Sequence, residues 1–490
     1  MTRTKPWLVA TLFVLLTVPQ PTKAVVSDRA PTDRTPDPAR TESFHSKKFG
    51  VFFHYLSGLQ NNAETVNSLG KETSWDECVD DFNVSLFADQ VAETGAGYVF
   101  LTLMQQDKYM CAPNATFDKM TGYSPGEACS KRDLVMEIAD ELEKRGVDLY
   151  LYWTGDGPTR DPKAFAALKG SLPVTKEYMR NWSNVVAEYA RRYGTKVKGW
   201  WVDGCYSWIG HDEETLEILA RGLRDGAPER ILAFNPGVDP KVTAYSDHDD
   251  FTAGEQNSFE SLPESGRFIK GAQWHVLTFL GSDWGKPGVR LSKKELAQYV
   301  GTVNRLGGVV TIEMTLYRDG ALDRSQLETV KAVRPYLDTL DETMRRRRAS
   351  GNLAGNALAF LKSVDESETL PPSCGDVHNA FAGIDGNPAT SSIGANNWSW
   401  AYCVYLMEHA EASCVSLLFG EGYPTDFEVQ IKEPEGNWES VGRFDNPDGQ
   451  KNYEIRFDRK TIVGVKIIAW KPDGPDQKGT QMSVAELEIH

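Results

Sequence analysis

The stretch Val197-Lys198-Gly199-Trp200-Trp201-Val202-Asp203-Gly204 decides how this chain reads. Residues 197–202 are apolar or aromatic apart from Lys198, the pattern of a strand buried in a parallel sheet. Gly204 lets the backbone turn sharply, so Asp203 stands at the strand's C-terminal rim. Side chains alternate along a strand, which puts Trp201 and Asp203 on the same side. An indole beside an acid at a strand end suits a sugar ring: the C–H face stacks on the aromatic and the acid meets the reactive carbon. The same aspartate would equally serve to cap a following helix, so the rest of the chain must decide.

Outward from this stretch, strand-like and helix-like segments alternate for about three hundred residues, the length of a (β/α)₈ TIM-like barrel with insertions. The candidate strands are 49–55, 97–103, 148–154, 197–203, 230–235, 249–255, 272–279 and 308–315. Amphipathic helical stretches separate most of them, as at 132–145, 175–192, 213–224, 292–305 and 324–340. Polar and aromatic residues gather at the strand ends: His54, Gln105, Gln106, Asp107, Trp153, Asp156, Asp203, Asn235, Glu255, Trp274, His275 and Glu313. Such ends converge on one mouth in a barrel, so together they point to a site. Beyond Gly351 the texture changes to short alternating strands with Gly, Pro and Asn turns, which predicts an all-β sandwich.

The chain has 490 residues, enough for two cores. Residues 1–24 read as a signal peptide: Arg3 and Lys5 precede an apolar stretch, and small residues surround Ala24. That predicts a secreted or periplasmic protein with no membrane span. Residues 25–46, rich in Pro, Thr, Asp and Arg, are expected to be a disordered lead-in, followed by a catalytic domain at 47–345 and the sandwich at 352–490. A formal charge of −16, from 53 basic and 69 acidic residues, argues against a nucleic-acid partner. Cys111 and Cys129 bracket one insertion and are predicted to pair, with Cys374, Cys403 and Cys414 as sources of another bridge. No cysteine or histidine cluster has the spacing of a zinc site.

These motifs, from about residue 47 to 340, resemble the α-L-fucosidases of glycoside hydrolase family 29. Phe49-Gly50-Val51-Phe52-Phe53-His54 is similar to the family's opening strand, with its sugar-binding histidine, and residues 95–102 followed by Asp107 to the second strand and its loop. Residues 131–137 match a helix start, Trp201-Val202-Asp203-Gly204 the nucleophile motif, Trp274 through Trp284-Gly285 the seventh-strand region, and Gly307-Gly308 the last strand's entry. Two features depart from the pattern. Gln105 and Gln106 stand where the family has paired histidines, and Glu313 where an Asn is usual. Glutamine still hydrogen-bonds hydroxyls but carries no charge, so the sugar recognised need not be plain fucose. The tail resembles the coagulation factor 5/8 type C, or family 32 carbohydrate-binding, modules through residues 385–390, 422–427, Trp438 and 485–489. That likeness implies a structural Ca²⁺ held by Asp385, Thr390 and Glu486.

The resemblance implies a glycan or polysaccharide substrate, no cofactor for catalysis, and hydrolysis with retention by two carboxyl groups about 5 Å apart. Asp203 is then the nucleophile and Glu255 the acid/base, with Glu313 and Asp156 as rivals for the second role. His54, Gln105, Gln106, Asp107, Trp153, Trp201 and Glu313 are assigned to sugar binding, and Trp75 to a wall of the pocket. Two alternatives remain open: a carbohydrate-binding protein that has lost catalysis, and an endo-acting hydrolase of a fucose-rich sulfated polysaccharide.

Overall fold

The computed structural model describes residues 32–239, 241–263, 266–363, 380–393, 400–434, 436–471 and 482–490; the expected signal peptide and Cys374 lie outside them. The first part of the chain supplies strands β1 (Phe49–Phe53), β2 (Tyr98–Thr102), β3 (Asp148–Thr154), β4 (Val197–Asp203) and β5 (Ile231–Phe234). A small hairpin, β6 (Phe268–Ile269) and β7 (Ala272–Gln273), precedes β8 (His275–Phe279) and β9 (Val309–Met314). Hairpin aside, these strands form one parallel sheet in the order β5-β4-β3-β2-β1-β9-β8. Parallel neighbours require crossovers, and helices supply them, among them Val84–Thr94, Leu134–Glu143, Lys176–Tyr193, Glu213–Leu223 and Lys293–Arg305. Each starts on a side-chain cap, respectively Asn83, Asp133, Thr175, Asp212 and Ser292, which accepts an otherwise orphaned N–H.

The sixth expected strand, 249–255, is not a regular one. It bonds to both edges of the sheet: Asp250 and Phe251 donate to the Leu232 carbonyl of β5, while Phe251 bridges Gln273 and Glu255 bridges Leu277 of β8. Its ladder is broken because carboxylates take ladder positions, Asp249 accepting from the Phe234 N–H (2.7 Å) and Asp250 from the Leu232 N–H (2.9 Å). Gly254 completes the break at φ +61°, where a Cβ would lie 2.0 Å from the His275 carbonyl oxygen.

Alternation along the strands sorts the two faces. Phe52, Phe100, Tyr150, Tyr152, Trp201 and Ala233 share one buried cluster with Phe251 and Leu277, while Val51, Leu101, Leu151, Trp153, Trp200 and Val202 pack in another with the helices. The first cluster is sealed at the N-terminal ends of the strands by a segment expected to be disordered. Residues 38–47 form a helix, capped by Asp37 and begun by Pro38, and its Phe44 is fully buried against Tyr98 (4.8 Å), Phe251 (4.9 Å) and Tyr150 (5.4 Å). The polar composition of 25–46 concealed this single anchor. Phe44→Ala should lower stability by about 3–5 kcal/mol. Urea denaturation checks this, and a loss under about 1 kcal/mol contradicts the packing.

The predicted Cys111–Cys129 bridge does not form; both cysteines are free and buried. Met110, not Cys111, bridges Cys129, and alternation turns the Cys111 thiol to the opposite side, toward the Tyr55 and Thr102 carbonyls. Of the cysteines offered for a second bridge, Cys414 is free and buried, and Cys374 lies outside the described residues.

The C-terminal part is a separate antiparallel sheet. Its strands are β10 (Ala357–Ser363), β11 (Ser392–Ile393), β12 (Trp400–Phe419), β13 (Asp426–Lys432), β14 (Trp438–Asp445), β15 (Asn452–Lys471) and β16 (Ser483–Ile489). They run β11-β16-β12-β15-β13-β14, with β10 on β12, around their own apolar core. Where short alternating strands are expected, β12 and β15 are each one long strand, paired with register shifts.

Asp385, Thr390 and Glu486 do come together here, but the donor set does not fit a calcium ion. The Asp385 oxygens accept from Thr390 Oγ1 (2.7 Å) and the Asn387 N–H (2.8 Å). Glu486 accepts from the Gly386 N–H (2.9 Å) and pairs with Arg347, whose guanidinium brings positive charge to the place a cation would need. Among the described residues no group of three or more His, Cys, Asp or Glu is arranged to hold a metal ion, and no helix is long and apolar enough to cross a membrane.

Candidate active site

Asp203 ends β4, and Gly204 follows at φ +70°, a turn in which a Cβ would meet Asp156 Oδ1 at 2.4 Å. Three donors converge on the Asp203 carboxylate: Tyr152 Oη on Oδ2 at 2.6 Å, and Tyr206 Oη and Asn235 Nδ2 on Oδ1, each at 2.9 Å. Both oxygens act as acceptors, the inventory of an ionised carboxylate. Tyr152 stacks on Trp201 (5.4 Å between ring centres), which fixes the phenol that faces the acid.

Asn235 Nδ2 has a second hydrogen, and it goes to Glu255 Oε2 at 2.7 Å. One amide nitrogen therefore spans the two carboxyl groups, and these two bonds laid end to end set the upper limit on the separation of the two oxygens. Parity explains the meeting: Trp201 and Asp203, Ala233 and Asn235, and Ala253 and Glu255 each alternate toward the same side. Burial, and then the negative charge of Asp203, raise the Glu255 carboxyl from its ordinary 4.5 to about 7.

The two acids open on a cleft of about 430 Å³ walled by Phe52, His54, Gln105, Asp107, Tyr109, Arg160, Trp201 and Trp284. His54 Nδ1 lies 3.1 Å from Glu313 Oε1, which also accepts the Gly285 N–H at 2.8 Å. Glu313 is fully buried behind the histidine and does not line the cleft. It orients His54, and the expected direct contact with sugar is corrected to that positioning role. Gln105 lines the cleft and donates to Tyr152 Oη (2.9 Å), whereas Gln106, at φ +55°, turns away and donates to Asp156 Oδ2 (2.6 Å). Burial raises Asp156 to about 7, but it too lies behind the wall.

Two tryptophans assigned to the sugar are elsewhere. Trp153 has the opposite parity to Tyr152 and is buried against Trp182 (4.5 Å) under the helices. Trp75 is buried with its Nε1 donating to the Met110 carbonyl, and Tyr109, packed against it, takes the wall position. His275, expected at the mouth, is a core histidine at the far end, held by the Thr252 carbonyl and Thr311 Oγ1. Tyr152, Tyr206 and Arg160 also border the site, outside the set of strand-end residues expected there. Strand parity alone identifies Tyr152; the two loop residues carry no periodic signal.

A larger cleft of about 590 Å³ opens at the N-terminal ends of the strands, but both its carboxylates are engaged, Glu42 with Arg267 and Asp341 with Lys48.

The crystal structure of a putative alpha-L-fucosidase from Bacteroides thetaiotaomicron aligns with 94% of this chain and 98% of its own, at 13% identity and a TM-score of 0.47. A family 29 fucosidase from Ruminococcus gnavus in complex with fucose aligns over 95% and 97%, at 14% identity and 0.41. An endo-fucoidan hydrolase of glycoside hydrolase family 107 aligns over 62% and 65%, at 14% identity and 0.49. No curated protein matches the chain. The sequence itself matches the family described as Alpha-L-fucosidase over residues 20–342, about two thirds of its length. The chain therefore belongs to the alpha-L-fucosidase family and is a glycoside hydrolase.

Proposed function

We propose that this fucose-acting glycosidase removes terminal α-L-fucose, or a related modified deoxysugar, from glycans with retention of configuration. The observation that carries the reading is the shared Asn235 amide, because its 2.9 and 2.7 Å bonds cap the separation of one oxygen of each acid, in keeping with the close pair of carboxyls, about 5–5.5 Å apart, that double displacement needs. Inversion needs about 6.5–9.5 Å, room for a water between them. In this mechanism Asp203 attacks the anomeric carbon while Glu255 gives its proton to the departing glycosidic oxygen. Glu255, now ionised, takes a proton from water, which attacks the same carbon and frees Asp203. His54 and Gln105 accept or donate to ring hydroxyls, and Trp201 backs the glycone.

Several further features belong to this reading. Segment 249–256, bonded to both β5 and β8, supports closure of the sheet as a (β/α)₈ barrel. The C-terminal sheet suits a discoidin-like carbohydrate-binding sandwich, and the leader at 1–24 a secreted or periplasmic location. The test is an activity panel of aryl α-linked deoxyhexosides. Turnover of the α-L-fucoside with the β-anomer absent at the earliest times by NMR is expected; binding without turnover across the panel overturns it.

One observation favours a second reading, a sulfated or otherwise acidic fucan as substrate. Arg160 lines the same cleft as Asp107, Asp203 and Glu255, and among the described residues its guanidinium makes no ion pair. A guanidinium with no ion-pair partner is a fork-shaped site for an anionic substituent such as a sulfate. Arg160→Gln should then lower kcat/KM about tenfold on a sulfated α-fucoside and flatten its salt dependence, with the unsulfated substrate nearly unaffected. Equal behaviour on both substrates removes the acidic reading.

A further inference from the structure

The turn after β4 carries a feature that hydrolysis of a single sugar does not use. Residues 207–209 form a short 3₁₀ turn whose Trp208 is 58% exposed, among the most exposed large apolar side chains described. Its ring stacks on Tyr206 (5.8 Å between centres, planes 26° apart), and Tyr206 Oη donates to the carboxylate of Asp203. Beside it, the loop after β5 packs on the Tyr206 ring at Gly237, where a Cβ would lie 3.1 Å away, and then exposes Val238 at 50%. Tyr206, Trp208 and Val238 thus form an apolar step from two loops, running from the nucleophile into solvent.

A lone exposed tryptophan is ordinary surface. This one is held out by a rigid turn. Ile209 is buried and its carbonyl accepts the Val174 N–H (2.9 Å), while Gly210, at φ +76°, abuts Pro173 so closely that a Cβ would lie 2.6 Å from its side chain. The turn therefore cannot fold the indole inward without losing these contacts. Direction follows from the chemistry. The acid/base must face the leaving oxygen, so the leaving group lies on the Glu255 side of the cleft. Tyr206 borders that side as well: it donates to Asp203 Oδ1, the oxygen that also takes the Asn235 amide whose other hydrogen goes to Glu255.

We propose that the Tyr206–Trp208 step is a subsite for the leaving-group sugar, a pyranose whose C–H face stacks on the Trp208 indole. The inference rests on the proposed hydrolysis and deepens it by naming Trp208 as the residue that selects among leaving groups. An indole face suits such a ring because it offers a broad apolar contact with little side-chain entropy to lose.

The test compares two substrates, α-L-fucosyl fluoride, whose leaving atom carries no ring, and an α-L-fucosyl disaccharide with a pyranose leaving group. The readout is the ratio of kcat/KM for the disaccharide to that for the fluoride. In Trp208→Ala the ratio is expected to fall about tenfold, chiefly through KM, with Trp208→Phe recovering most of it. An unchanged ratio overturns the subsite. So does an equal loss on both substrates, which traces instead to a disturbed Tyr206–Asp203 bond. If the wild-type protein hydrolyses neither substrate, the glycosidase reading fails, and calorimetry with the intact disaccharide judges the step on its own. There a tenfold weaker affinity in Trp208→Ala supports the step, and equal affinity overturns it.

Discussion

Asp203→Asn is expected to reduce turnover of an aryl α-L-fucoside by about 10⁴-fold or more, with the thermal melt little changed. Asparagine has the shape of aspartate but not its charge, so it cannot form the glycosyl-enzyme bond. It keeps one oxygen for Tyr152 or for Tyr206 and Asn235, and this limits the structural cost to part of one hydrogen-bond set. A second consequence separates chemistry from packing. The Asp203 charge contributes to the raised pKa of Glu255, so removing it should let Glu255 titrate below about 7, which carboxyl-selective infrared titration can follow. Turnover within about tenfold of wild type would remove Asp203 from the reaction. Loss of turnover together with a collapsed melt would show only that the strand end needs its carboxylate.

The sheet was legible because a buried parallel strand writes itself as an apolar run closed by a turn residue, and Val197-Lys198-Gly199-Trp200-Trp201-Val202-Asp203-Gly204 does both. Glu255 reads less directly, since its segment is no apolar run and its expected role comes from the resemblance to the family. What failed was finer. Trp153 and Tyr152 are adjacent, and only one of them can face the cleft; the indole drew attention, yet counting alternate residues from the rim selects the phenol. Gln106 illustrates another limit, because its positive φ turns it from the sugar to Asp156, and a single loop residue in that conformation leaves no pattern in sequence. The helix at 38–47 was hidden by composition: average polarity describes a segment, whereas Phe44 acts as one buried side chain. The unformed Cys111–Cys129 bridge has the same root, since closeness in sequence says nothing of the direction in which each thiol points.

Glu255→Ala should cost about 10²–10⁴-fold in kcat/KM on substrates with poor leaving groups and far less on those with good ones, because a good leaving group departs without a proton. Its signature is in the pH profile. Below about pH 7 the buried carboxyl holds its proton and can deliver it; above that it is ionised and cannot. Wild-type kcat/KM on a poor leaving group should therefore fall on the alkaline side with an inflection near 7, and that limb should vanish in the variant. Azide, which attacks the glycosyl-enzyme without a base, should restore turnover on good leaving groups; failure of rescue would pass the role to another group, with Asp156, also raised to about 7 but walled off behind Gln106, the one to test next. Stability gives an independent check with a fixed sign. A folded-state pKa raised from 4.5 to about 7 means that Glu255 favours the fold where it is protonated, an advantage complete below 4.5 and lost as pH rises through 7. Glu255→Gln should accordingly raise Tm at pH 8 and leave it nearly unchanged at pH 4. The carboxylate's cost to the fold at neutral pH is then the same burial and charge repulsion that keep its proton available for the leaving group, and a variant that lost activity without gaining stability at pH 8 would separate the two.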